Sequence, residues 1–226
     1  MQEDSRLKQI PLFSSLTDEH LAGLAAKLGT RSYKTGETIF HKDDPGSVLY
    51  VIKEGQVKIA TTSPEGEEVI LAILTDGDFF GELSLLDESP RSASAIAMAS
   101  TQSLVLHRKD FVDFLTRYPE LVSDILAALS RRLRGTDALV EDAIFLDLPA
   151  RLAKRLLQLA ASHGTKTGEG LEINLKLTQQ DIANLVGATR VAVNKQLRRY
   201  QNLGVIKMSR NRIIILHPED LQKRVY

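Results

Sequence analysis

The sequence predicts an α+β chain in which a jelly-roll-like β-roll is followed by one long helix and then by a winged helix-turn-helix. Three observations lead there. Between Arg31 and Arg108, Gly36, Gly46, Gly55, Gly66 and Gly77 separate short apolar runs such as Leu49-Tyr50-Val51-Ile52 and Val69-Ile70-Leu71-Ala72-Ile73-Leu74. Turns recur roughly every ten residues, the rhythm of a sheet roll rather than of βαβ units. From Asp110 to Phe145 the pattern turns helical, and beyond Thr178 two short capped segments precede two β-rich runs.

Ser15-Leu16-Thr17-Asp18-Glu19-His20-Leu21 offers capping groups ahead of leucines at helical spacing, so a short helix opens the chain. Within the roll, Pro64-Glu65-Gly66 marks a hairpin tip. In the helical stretch Pro119 belongs near a first turn, because it would break a helix interior. Val122, Leu126, Leu129, Leu133, Thr136, Val140 and Ala143 are spaced alternately four and three apart, a heptad seam over residues 122–143. Such a seam packs on a like helix, and a second copy of the chain is the expected partner; packing within its own domain is the alternative. Leu148-Pro149 interrupts the helix as a hinge, and Arg151–Ala161 resumes helical spacing. Residues 163–170 read as an exposed polar loop. The expected domains are the roll at 1–117, the long helix and hinge at 118–146, and the helix-turn-helix at 147–226.

Composition narrows the function. The 226 residues include 43% hydrophobic residues, enough for packed cores, and no cysteine, which removes disulfides, thiolate metal sites and cysteine-ligated iron–sulfur clusters. No apolar run is long enough to cross a bilayer, so no membrane partner is expected. Met1-Gln2-Glu3-Asp4 lacks a basic start and apolar stretch, so a cytoplasmic location is expected. The net charge of zero conceals a polarity. Residues 1–146 carry 15 Lys and Arg against 23 Asp and Glu, a balance of −8, whereas residues 147–226 carry 14 against 6, a balance of +8. A basic C-terminal part favours a polyanion, which the acidic part would repel.

Within the roll, Gly77-Asp78-Phe79-Phe80-Gly81-Glu82-Leu83-Ser84 is followed by Pro90-Arg91-Ser92-Ala93. Glycine lets backbone N–H groups approach an anion, Arg91 offers a charge-assisted pair to phosphate, and Ser92 adds a neutral donor. Glu82 suits a sugar hydroxyl and can also orient Arg91. The residue types describe a site for a phosphate joined to a ribose; a structural Glu82–Arg91 ion pair is the plainer alternative.

In the basic end, Thr178-Gln179-Gln180-Asp181 carries a capping-box pattern, Gly187 permits a turn, and Thr189 caps a second helix. Val193, Leu197 and Tyr200 form its inward face, leaving Arg190, Val191, Asn194, Lys195 and Arg198 outward. That is a helix-turn-helix whose second helix can enter a major groove, with Arg190 placed for guanine and Lys195 for guanine or phosphate. Val205-Ile206-Lys207-Met208, the turn Ser209-Arg210-Asn211 and Arg212-Ile213-Ile214-Ile215-Leu216 read as a hairpin with Arg210 and Arg212 at its tip, a wing suited to phosphate. An ordinary helical domain with a basic amphipathic helix is the plainer alternative.

The Gly-Glu-Leu and Pro-Arg-Ser cassette resembles that of cyclic-nucleotide-binding domains. Over nearly the whole chain, with Leu133, Thr136 and the Phe145-Leu146-Asp147 hinge aligning, the sequence resembles the cyclic-AMP receptor protein/FNR (Crp/Fnr) family of bacterial transcription regulators. The resemblance implies a cyclic-nucleotide-binding roll and a dimerisation helix. It implies cyclic AMP as allosteric ligand, held by Gly81, Glu82, Leu83, Ser84, Arg91, Ser92 and Ala93, with Thr136 and Asp137 toward the base. It implies palindromic double-stranded operator DNA, reached through Thr178, Gln179, Thr189, Arg190, Val191, Asn194, Lys195, Arg198, Arg210 and Arg212, a homodimer, and RNA polymerase as a further partner. Two positions depart from the family. Asp137 stands where a serine commonly helps recognise adenine, and Val191 where a glutamate often reads cytosine; valine offers only apolar contact, such as to a thymine methyl. The rivals are a family member that needs no ligand or takes another, and a cyclic-nucleotide-controlled enzyme or its regulatory subunit. No nucleophile–base set, metal-ligand cluster or P-loop lysine is present for an enzyme, so neither catalytic residues nor a metal are expected. Five scattered histidines give no axial-ligand pattern for haem.

Overall fold

In the computed structural model the described residues are 7–8, 10–209 and 212–225. The chain divides into two compact units, Met1–Thr61 with Leu71–Arg134, and Thr62–Ile70 with Gly135–Tyr226.

The first unit opens with a single 3-10 turn at Pro11–Phe13 and helix α1 (Asp18–Ala25), whose cap is Thr17: its hydroxyl accepts the His20 N–H at 3.3 Å. Strands β1 (Gly29–Tyr33), β2 (Thr38–Phe40), β3 (Val48–Glu54), β4 (Gln56–Thr62), β5 (Glu68–Thr75), β6 (Phe79–Phe80), β7 (Ser94–Ala97) and β8 (Thr101–His107) form two four-stranded sheets, ordered β1-β8-β3-β6 and β2-β7-β4-β5. Helix α2 (Leu83–Leu86) sits between β6 and β7. Alternation along β3 explains how the roll is built. Tyr50 and Ile52 join Val57, Phe80, Ala95 and Ala97 in the interior between the sheets, while Leu49 and Val51 face the other way, into a cluster with Leu21, Leu24, Leu106, Phe111 and Phe114. Both faces of this strand are therefore buried from Val48 to Ile52, and that run is apolar throughout.

Helix α3 (Arg108–Arg117) ends at Tyr118, which leaves the helical region at φ −128 and ψ 79. Helix α4 (Pro119–Phe145) then begins on its proline. The helical stretch read from sequence is thus two helices, because a residue preceding proline is pushed out of the α conformation and proline is tolerated only in a first turn.

In the second unit Asp147 starts helix α5 (Leu148–His163), its carboxylate accepting the Ala150 N–H at 2.9 Å with Pro149 in the first turn. Strands β9 (Gly164–Lys166) and β10 (Leu171–Ile173), helices α6 (Gln179–Val186) and α7 (Arg190–Asn202), strands β11 (Ile206–Ser209) and β12 (Arg212–Ile215) and helix α8 (Pro218–Gln222) complete it. The strands form one sheet ordered β11-β12-β10-β9. Here the structure corrects the polar loop expected at 163–170: His163 is the last residue of α5, and Gly164–Lys166 is β9, paired with β10 through Leu171↔Lys166 and Ile173↔Gly164. Gly-Thr-Lys has no apolar alternation to announce a strand; pairing with a neighbour defines it.

Candidate functional site

The roll's candidate site starts where β6 ends. Gly81 has φ +82, and a side chain there would lie 2.7 Å from Arg91 Nη1 and 3.0 Å from the Val48 carbonyl, so only glycine permits this approach. Arg91 is 4% exposed. Its Nη1 donates to the Gly81 carbonyl at 2.7 Å and its Nη2 to the Val48 carbonyl at 2.9 Å, and the guanidinium lies 4.2 Å above the Phe40 ring centre. Its Nε is buried without an acceptor. Burial pulls the guanidinium pKa down, opposed by Tyr50, Glu82 and Asp44, but an arginine stays charged in a protein. A buried cation with an unsatisfied N–H is suited to an anion, because an orphaned donor in a low-dielectric pocket carries the full cost of its lost hydration.

The plainer alternative, an ion pair of Glu82 with Arg91, is corrected. Glu82 is 2% exposed and its Oε1 accepts from Arg132 Nη1 at 2.6 Å, while the second Arg132 nitrogen donates to the Phe79 carbonyl. The Arg132 guanidinium also lies 4.8 Å above the Phe79 ring centre. Arg132 was missed in the sequence because it stands beside the heptad seam and fifty residues from its partner. Gly46 was missed too: a side chain there would lie 2.4 Å from Ser84 Cβ and 3.0 Å from Arg91 Cζ, so its bare backbone lets the cassette close. The Asp43-Asp44-Pro45-Gly46 turn signal was the available clue.

Of the other cassette residues, Ser84 and Ala93 are buried, Ser92 is exposed, and Leu83 is 42% exposed beside the equally open Leu86. Thr136 and Asp137 are exposed residues of α4. So are the seam residues Leu126, Leu133 and Val140, at 58%, 63% and 55%, in a helix whose Leu121 and Ile125 are buried.

The second candidate site is the helix-turn-helix. Thr178 and Asp181 form the expected capping box: the Thr178 hydroxyl accepts the Asp181 N–H at 3.1 Å and the Asp181 carboxylate accepts the Thr178 N–H at 2.9 Å. Gly187 turns the chain at φ +60, and Thr189 caps α7 by accepting the Ala192 N–H at 3.3 Å. Val193, Leu197 and Tyr200 are buried, and the Tyr200 hydroxyl donates to the Pro149 carbonyl at 2.7 Å. Arg190, Val191, Lys195 and Arg198 are exposed together on the opposite face. Asn194 and Gln179 are engaged with each other, Asn194 Nδ2 donating to Gln179 Oε1 at 2.7 Å, which ties α7 to α6. Arg212 is engaged as well, in a bidentate pair with Glu172 at 2.5 and 2.6 Å. That pair raises the Arg212 pKa and lowers that of Glu172. Arg210 lies outside the described residues.

Two family models match the chain. Residues 30–118 match the cyclic nucleotide-binding domain model and residues 150–224 the Crp-like helix-turn-helix domain model. The chain is 37% identical over 221 residues to a CRP-like cAMP-activated global transcriptional regulator of Mycobacterium tuberculosis, covering 98% of this chain and 99% of the relative. It is 32% identical over 199 residues to a global nitrogen regulator of Synechococcus elongatus, covering 87% and 90%. Its fold is shared with a CooA mutant from Carboxydothermus hydrogenoformans, at TM-score 0.78, 22% identity and 90% coverage of both chains.

Proposed function

The chain belongs to the Crp/Fnr family of DNA-binding transcription regulators, and we propose that it is a homodimeric switch whose roll takes cyclic AMP and whose α7 helices then bind a palindromic operator. The observation that carries this reading is Arg91: a buried guanidinium with an unsatisfied N–H beside a glycine backbone and a fixed carboxylate suits a cyclic phosphate joined to a ribose. In this reading the phosphate meets Arg91 and Ser92, the ribose meets Glu82, and Thr136 and Asp137 meet the base.

The exposed seam of α4 supports the dimer, since Leu126, Leu133 and Val140 on one chain would bury against their counterparts on another. A twofold dimer presents its two α7 helices to two half-sites about one helical turn apart, with Arg190, Lys195 and Arg198 toward bases and phosphates. RNA polymerase is the partner the family resemblance implies at a promoter, and the cytoplasm is the compartment. Ligand and operator are coupled by a free energy on the order of 1–3 kcal/mol.

A second reading keeps the DNA function and changes the effector. Asp137 favours it, because it stands where the family commonly has a serine, which changes the groups offered to the base, and because one relative is a nitrogen regulator. Calorimetric titration of the full chain with cyclic AMP and with cyclic GMP separates the readings. Micromolar binding of cyclic AMP that is lost in Arg91→Leu supports the proposal. Absence of heat with either nucleotide would leave a DNA-binding protein that answers another signal.

A further inference from the structure

Among the exposed apolar side chains of the described residues, Val191 is the most open, at 80%. It is the second residue of α7, directly after Arg190 and one turn before Asn194 and Lys195 on the outward face. Nothing in the stability of the helix explains it. A β-branched residue is a poorer helix former than the arginine, lysine or glutamine found elsewhere along α7, and an exposed valine recovers no burial. The same turn carries no acidic residue and begins with Arg190, although the positive end of a helix dipole favours a carboxylate there. Both choices work against the isolated helix and suit one that is completed by a polyanion carrying an apolar feature.

Duplex DNA offers one apolar feature at a base edge in the major groove, the thymine C5-methyl group. We propose that Val191 reads a thymine in each half-site, so that the base pair it faces is A·T with the methyl against the valine methyls. The proposal rests on the helix-turn-helix reading given above. Selectivity has two sources. The methyl contact buries apolar surface on both sides, and valine supplies neither an acceptor for a cytosine amino group nor a donor for a guanine carbonyl, so a G·C pair leaves its polar edge unmatched. Arg190 and Lys195, free of any carboxylate partner in the ion pairs of the described residues, hold the flanking bases and phosphates that set the register.

The test is selection of duplexes from a randomised library by the full chain, with and without cyclic AMP. Each enriched thymine is then replaced singly by deoxyuridine, which deletes only the methyl group. The expected result is one thymine per half-site whose replacement weakens wild-type binding about fourfold, the change that corresponds to about 0.8 kcal/mol for one buried carbon. That replacement costs Val191→Ala little, and Val191→Glu shifts the preference at that pair to cytosine, whose amino group a carboxylate accepts. If duplexes are enriched but every replacement is neutral, or costs Val191→Ala as much as wild type, the assignment of Val191 is overturned while the DNA-binding reading stands. If no duplex is enriched under either condition, the reading on which it rests fails.

Discussion

Arg132 of the long helix holds the carboxylate of Glu82 at 2.6 Å, and that carboxylate is 2% exposed. One ion pair thus ties the ligand cassette to the helix that carries the heptad seam. Removing the cation alone leaves a buried unpaired carboxylate, which typically costs about 3–5 kcal/mol. Arg132→Leu is therefore expected to lower the urea midpoint sharply. The double variant Arg132→Leu with Glu82→Leu should recover much of the loss, because it removes the stranded charge. Equal midpoints for the single and double variants would show that the pair is not what stabilises this joint.

Gly46→Ala tests the packing of the cassette. The added carbon meets Ser84 Cβ at 2.4 Å and Arg91 Cζ at 3.0 Å, a distance real structures do not tolerate, so it must push Ser84 or Arg91 aside. We expect a loss of about 1–3 kcal/mol in stability and weaker nucleotide binding by calorimetry. Gly23→Ala serves as the control. It lies inside α1 with nothing within 4 Å and should gain about 0.5–1 kcal/mol, as glycine does when replaced in a helix interior.

The wing responds to pH through Glu172. Its hydrogen bond to Arg212, and then the charge of that arginine, hold its pKa below the usual carboxylate value. A depressed carboxylate contributes stability that is complete above its unfolded pKa and is lost as pH falls through the folded one. Amide protection factors in β10 and β12, taken relative to the intrinsic exchange rate at each pH, should therefore be full at neutral pH and fall in acid below the ordinary carboxylate range. In Glu172→Gln the acid-dependent loss of protection should vanish. The same variant releases Arg212 for phosphate, so the slope of log affinity against log salt should steepen by about 0.9 for each added contact.

Leu133 is 63% exposed at the middle of the seam. Leu133→Glu places charges against one another wherever two such helices meet, and sedimentation should show a monomer in place of the dimer. Operator affinity should fall with it, since both half-sites can no longer be engaged together. A dimer of unchanged stability would move the interface elsewhere.

The sequence by itself determined the order of most elements and named the residues proposed for both sites. Thr17, Thr178 with Asp181, and Thr189 each announce a helix start through a bond to a backbone N–H within three residues, and Gly187 announces the turn between two of them. The heptad seam, the doubly buried run of β3 and the Gly81-to-Ala93 cassette are patterns of the same kind, legible because they are set by neighbours along the chain. Tertiary structure alone decided which cation Glu82 meets, that Gly46 must be bare for Ser84 and Arg91 to pack, that Gly164–Lys166 is a strand, and that Arg212 is engaged by Glu172. These are pairings between residues distant in sequence. Side chains of one charge or polarity are interchangeable until folding brings one of them within about 3 Å, and the low dielectric of a buried site then makes that single partner decisive.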